Sequence, residues 1–280
     1  MLSDRLTSKE ARRTERAIAA LGAVVWAAPL LTRLNNAGGI KSENMPLMFE
    51  VRFAHELHQA GITAEYEYSA GVGDSTVEFR LHTIPTWLIE LVSVRTSDAA
   101  KRAVRKVGMI YEQHFSPTPG DPGRSTGGEL ITAEQNIGEK VFADGTPTKF
   151  PPLDGSFRMI LTDIRGYLDE GGDAYDYRQM AYDSHGIPKR LPWMIHYWEI
   201  HPSQMTPIKG LFEVDNPLRA SRYVQERIHF LGFVRERDFF EGEIKQIGYY
   251  LPNWNLFSVQ KEAALALESY PLAQRAANQR

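Results

Sequence analysis

The chain contains no cysteine, which excludes a disulfide framework, a thiolate zinc site and a cysteine nucleophile. It lacks an excess of either charge. Thirty-two Lys and Arg against 35 Asp and Glu leave a net charge of −3, so there is no global basic footprint, and any nucleic-acid contact has to rest on a local patch. A long apolar run is missing too. The most apolar stretch, Ala17 to Leu31, falls short of the roughly 20 residues a membrane helix needs. Its flank mixes Asp4, Glu10 and Glu15 among Arg5, Lys9, Arg12, Arg13 and Arg16, unlike the short positive start of a secretory signal. The expectation is a buried or oligomer-forming helix in a soluble, cytoplasmic protein with no membrane partner. There is no P-loop and no Gly-x-Ser-x-Gly elbow. Gly71-Val-Gly73 joins strands and lacks the rest of a dinucleotide fingerprint. His55-Glu-Leu-His58 has its imidazoles three apart, where a zinc protease needs four. The acids from Asp169 to Asp176 do not have EF-hand spacing.

What is present is an ordinary globular composition, 42% hydrophobic and 24% charged, on a chain of 280 residues that can build a sizeable core. The first 40 residues read as helical and end at the breakers Asn35-Asn36-Ala37-Gly38-Gly39. A second helix is expected from Asn44, with Pro46 in its first turn, to Gly61. The period then switches from helical to alternating. Ala64 to Tyr68, Thr76 to Leu81 and Trp87 to Val94 read as three successive strands, the third apolar enough to be central. A helix capped by Ser97 or Asp98 is expected to reach about His114, followed by a Gly/Pro loop to Gly128 and a helix from Thr132 to about Phe142. Phe157 to Ile164 reads as another buried strand. Residues 166 to 192 read as irregular, Ile208 to Val214 and Ile228 to Val234 as strands, and a helix as following Ser258.

Glu90 stands out because it interrupts the apolar run Leu88 to Val94. A buried carboxylate is normally neutralised, paired or bound to a metal. Glu78 lies on the preceding strand, and a hairpin through His82 to Thr86 can bring both acids to one sheet face. Glu50 lies in line with Phe53, Ala54 and Leu57 on the core side of its helix. Three such acids suit a hard cation such as Mg²⁺ or Mn²⁺. Plainer roles fit the same positions: Glu78 and Glu65 as solvent-face acids of a hairpin, Glu90 paired with Arg80, and Glu50 paired with Arg52 or Arg16.

The order αβββαβ, with an acid on the second strand and Glu inside the third, resembles the PD-(D/E)xK phosphodiesterase superfamily. The resemblance covers about residues 44 to 164. It implies an α/β fold: a restriction-endonuclease-like core with a mixed sheet at 44–164, an N-terminal helical extension at 1–43, and C-terminal α+β additions at 165–280 that complete or extend the same domain. It also implies a metal-dependent nuclease, with Glu78 and Glu90 holding Mg²⁺ or Mn²⁺, Glu50 as the helical acid, and Gln135 of Gln135-Asn-Ile-Gly-Glu139 as the Gln many members carry. Glu139 stands where a Tyr is usual. The family's lysine position is Val92, which cannot donate a hydrogen bond. Lys140 is the preferred substitute, with Lys101 behind it. The alternative is a catalytically inactive relative acting as a binding or assembly module. Nucleic acid would be held through Lys101, Arg102, Arg105, Lys106 and Arg124. Homo-oligomer formation is a further expectation from the apolar N-terminal helix. The aromatics Trp193, Tyr197, Trp198, Tyr249, Tyr250 and Trp254 suit base stacking or, more simply, a second core or an oligomer interface.

Overall fold

A computed structural model describes residues 6–70, 72–94, 104–107, 110–113, 126–167, 172–182, 209–234 and 243–273. The N-terminal segment forms α1 (Ser8–Leu21) and α2 (Ala28–Asn36), separated by a short 3-10 turn at Val25–Ala27. Pro29 at the start of α2 begins a new helix, because its missing N–H is harmless only in a first turn. The apolar stretch is therefore divided, and among the described residues no helix is long and apolar enough to cross a membrane. Thr7 caps α1 in a reciprocal capping box with Glu10.

Helix α3 (Met45–Gln59) follows, with Pro46 in its first turn. It leads into β1 (Ala64–Ser69), β2 (Thr76–Leu81) and β3 (Trp87–Ser93), an antiparallel meander. Next come a small hairpin, β4 (Val104–Val107) with β5 (Ile110–Gln113), then α4 (Thr126–Glu139) and a second hairpin, β6 (Phe142–Ala143) with β7 (Thr146–Pro147). Strand β8 (Phe157–Asp163) returns parallel to β3, as the long crossover through α4 permits. After α5 (Ala174–Ala181) and α6 (Arg219–Arg227), β9 (Phe230–Val234) runs parallel to β8. A short α7 (Ile244–Ile247) precedes β10 (Gly248–Pro252), antiparallel to β9, and α8 (Gln260–Glu268) follows. The six-stranded mixed sheet has the order β1-β2-β3-β8-β9-β10.

Two apolar clusters cover its faces. On one, Phe49, Val51 and Phe53 of α3 pack with Phe79, Leu81, Ile89, Leu91, Met159 and Leu161, together with Leu21, Leu30 and Leu34 of the N-terminal helices. On the other, Leu130, Ala133 and Ile137 of α4 pack with Leu88, Val92, Ile160, Tyr177 and Val224. Burying each of the Val, Leu, Ile, Phe and Met side chains among them contributes about 1.5–3 kcal/mol. Buried polar contacts add to this packing, two of them joining segments far apart in sequence. Arg165 reaches Glu10 at 2.6 Å, Arg52 pairs with Glu56 at 3.3 Å, and Glu56 accepts the N–H of Ile244 at 2.6 Å.

Several expectations are corrected. Residues 104–113 of the expected helix after Ser97 contain a β-hairpin instead, with Val104, Val107 and Ile110 supplying β-branched positions. The expected strand at Ile208 to Val214 is, from 209 onward, a turn. The Leu211 and Phe212 N–H groups donate to the Met180 and Ala181 carbonyls at the end of α5, and a side chain at Gly210 would collide with the Ala181–Tyr182 backbone. The supposedly irregular 166–192 region includes α5, opened by an Asp173/Asp176 capping box. Helix α4 begins at Thr126, earlier than expected.

Candidate active site

The site forms where the β2–β3 ladder stops. The two strands pair at Leu81↔Trp87, Arg80↔Leu88 and Phe79↔Ile89. Beyond that point the Glu78 N–H donates to Glu90 Oε2 at 3.2 Å, and the Leu91 N–H donates to Glu78 Oε2 in a short hydrogen bond. Each carboxylate thus satisfies a strand amide at the place where the ladder would continue. The other edge of β2 is interrupted at the same level. Tyr66 pairs with Phe79 and Tyr68 with Val77, while Glu67 and Glu78 between them are skipped. Glu67 holds a left-handed φ of 53°, which costs a non-glycine residue about 1 kcal/mol or more and is characteristic of bulges and functional sites.

The sheet opens here into a pocket of about 350 Å³ lined by Pro46, Phe49 and Glu50 of α3, Glu78 of β2, Leu91, Val92 and Ser93 of β3, and Asn136 and Lys140 at the end of α4. Glu90 lies beneath it, fully buried. Lys140 Nζ stands 3.3 Å from Glu78 Oε1 and 3.5 Å from Glu90 Oε1. Lys149 Nζ stands 2.8 Å from Glu90 Oε1. Glu50 Oε2 accepts the Tyr66 hydroxyl at 2.6 Å and faces Arg33 at 3.5 Å. Three acids and two ammonium groups are therefore concentrated at one end of the strand pair.

Burial and then the neighbouring Glu78 push the Glu90 carboxyl up to about 8 against the pull of Lys149 and Lys140. Burial and then Glu78 likewise raise Glu50 to about 7, against the Tyr66 hydrogen bond, Arg33 and Lys140. Burial works against the Lys140 ammonium, but Glu78 and Glu90 outweigh it and raise its pKa. Buried acids with strongly displaced pKa values in a cleft mark a candidate functional site.

The candidates read from the sequence fall as follows. Glu50, Glu78 and Lys140 line the pocket, and Glu90 is paired beneath it. Gln135 does not join them: it sits on the exposed face of α4, and the next residue, Asn136, lines the pocket. The Glu90–Arg80 pairing is not formed, since Arg80 reaches Glu65 at 2.9 Å. Of the proposed nucleic-acid contacts, Arg105 and Lys106 lie on β4, opposite Glu112 and Tyr111. Lys101, Arg102 and Arg124 lie outside the described residues, as do Trp193, Tyr197 and Trp198. Tyr249 and Tyr250 belong to β10, where Tyr250 is buried and donates to the Leu272 carbonyl.

Sequence reasoning missed Lys149, and a signal for it existed. Asp144-Gly145 between β6 and β7 has φ of 51° and 77°, the two positive values of a type I′ hairpin turn, for which Asp-Gly is a strong signature. That hairpin turns the chain back so that Lys149 reaches the same acid as Lys140. Arg33 and Tyr66 were missed as well; one is on α2 and the other on β1.

The donor chemistry suits a hard divalent cation, being all carboxylate oxygen. The spacing is that of an ion-paired cluster: among the described residues no three Asp, Glu or His side chains gather closely enough to hold a metal ion. Comparison with models of protein families, with curated proteins and with solved structures finds no match for this chain.

Proposed function

We propose that this chain is a metal-dependent phosphodiesterase acting on nucleic acid, with a restriction-endonuclease-like core. The observation that carries the reading is the meeting of Glu50, Glu78 and Lys140 in one pocket directly above Glu90, at the broken end of a strand pair. The order of helix, three antiparallel strands, crossover helix and parallel strand in a mixed sheet supports the reading.

On this reading Glu78 and Glu90 are the residues that would hold Mg²⁺ or Mn²⁺, with Glu50 beside them. The ion would lower the pKa of a bound water and stabilise charge on the phosphate. The protein's own groups do the rest. Lys140, more exposed than Lys149, stands in for the lysine absent at Val92 and faces charge developing on the phosphate oxygens, an interaction typically worth about 3–4 kcal/mol. Lys149 stands 2.8 Å from the same Glu90 oxygen that Lys140 approaches. Asn136 offers an amide to the substrate, and Pro46 and Phe49 form an apolar wall against a base or sugar.

A second reading, a nuclease-like fold retained as a binding or assembly module, is favoured by one observation: both lysines already pair with the acids. A cleavage assay separates the two. Single- and double-stranded DNA and RNA are incubated with Mg²⁺ or Mn²⁺, with Glu90→Ala as control. Metal-dependent cleavage lost in the variant supports the enzyme. Equal activity in the variant overturns the site assignment, and no cleavage by the wild type leaves the binding module.

A further inference from the structure

We propose that Arg33, acting through Tyr66, is a positioning residue that fixes the carboxylate of Glu50 at the pocket, so that the N-terminal helix α2 completes the site. The inference rests on the reading of Glu50 as a pocket acid, and its geometry is specific. Tyr66 donates its hydroxyl hydrogen to Glu50 Oε2 at 2.6 Å and accepts from Arg33 Nη1 at 2.6 Å. Arg33 Nη1 also stands 3.5 Å from the same Glu50 oxygen. The hydroxyl thus serves as both donor and acceptor between two charged groups, the arrangement that shortens and strengthens each bond.

Arg33 is in turn held by Glu67 at 3.2 Å. Tyr66 and Glu67 are adjacent, and in a regular strand adjacent side chains point to opposite faces. Both nonetheless reach one nitrogen of Arg33. The left-handed backbone at Glu67, φ 53°, and the skipped pairing with Glu78 accompany that reach. A non-glycine residue in this conformation persists only where its surroundings over-determine it, and here the strain coincides with the Arg33 contact. All contacts engage Glu50 Oε2, so the clamp holds the carboxylate by one oxygen. It is built from three separate elements, α2, α3 and β1, and Arg33 is half-exposed.

The test compares Arg33→Ala, Tyr66→Phe and Arg33→Lys with wild type on two readouts. The first is the side-chain carboxyl ¹³C resonance of Glu50 at fixed pH, assigned by its loss in Glu50→Gln. The Glu56 resonance, further along α3 in its own buried pair with Arg52, serves as internal reference. The second is the dissociation constant of Mn²⁺ by calorimetry. The expected result is that Arg33→Ala and Tyr66→Phe move the Glu50 resonance and leave Glu56 in place, that Arg33→Lys moves it back toward wild type, and that Mn²⁺ binding weakens about tenfold or more in the first two, as for other partners of metal ligands. A Glu50 resonance that stays put, or that moves together with Glu56, overturns the proposal. If the wild type binds no Mn²⁺, the metal-site reading falls, and the carbon resonance still decides whether Arg33 positions Glu50.

Discussion

Glu90→Gln tests whether burial or the lysines govern the centre of the site. Glu90 is fully buried, and burial with Glu78 raises its carboxyl from an ordinary 4.5 to about 8 in spite of Lys149 at 2.8 Å. A raised pKa means that the folded protein keeps a proton the unfolded chain has released. The stabilising contribution is complete below about pH 4.5 and is lost as pH climbs through 8. One proton of difference gives a slope of about 1.4 kcal/mol per pH unit, so between pH 5 and 8 Glu90 removes on the order of 4 kcal/mol from wild-type stability. Gln cannot titrate, so the variant lacks that decline while keeping the smaller one from Glu50. Urea unfolding of both proteins at unit steps from pH 5 to pH 9 reads the slopes directly. The expected result is a variant that gains steadily on wild type as pH rises. Parallel curves would refute the reasoning, because Glu90 would then be ionised throughout and the two ammonium groups would outweigh burial.

Other outcomes follow from the same geometry. Glu10→Ala removes the carboxylate 2.6 Å from the buried Arg165 guanidinium and half of the α1 capping box, so urea unfolding should show a loss of about 2–4 kcal/mol. Gly145→Val forces a β-branched residue into a φ of 77° and should cost about 1–2 kcal/mol by the same measurement, with Gly145→Asn costing less because Asn tolerates the left-handed region. Lys140→Ala should lower single-turnover cleavage about 100-fold or more. Lys at position 92, which lines the same pocket, should recover part of that loss in Val92→Lys/Lys140→Ala; a double variant no faster than Lys140→Ala would argue against an electrostatic role for lysine.

The acids were legible in the sequence because of what surrounds them. A carboxylate amid Leu88, Ile89, Leu91 and Val92 has to be accounted for energetically, and the alternating runs of β1 to β3 fixed which strands carry Glu78 and Glu90. The cations were harder to read. Lys140 sits at a helix end, where spacing still guides, but Lys149 reaches Glu90 only through the Asp144-Gly145 turn. Arg33 depends on how α2 docks against β1, which no local pattern encodes. Gln135 was one position off because the periodicity of α4 leaves it exposed and turns Asn136 to the pocket. Strand β10 escaped notice because Gly248 and Pro252 flank only Tyr249, Tyr250 and Leu251, too short a run to separate from a loop. The helix expected after Ser97 failed because Val104-Arg105-Lys106-Val107 fits either period, and pairing with β5 decides between them.

The central claim, that the acids beneath Lys140 form a divalent-cation site, is tested most directly by anomalous diffraction from crystals soaked in Mn²⁺. The account predicts one manganese peak at the carboxylates of Glu78 and Glu90, with the Lys149 ammonium displaced from its 2.8 Å contact. A map without a peak there, and with Lys149 still on Glu90, would contradict it.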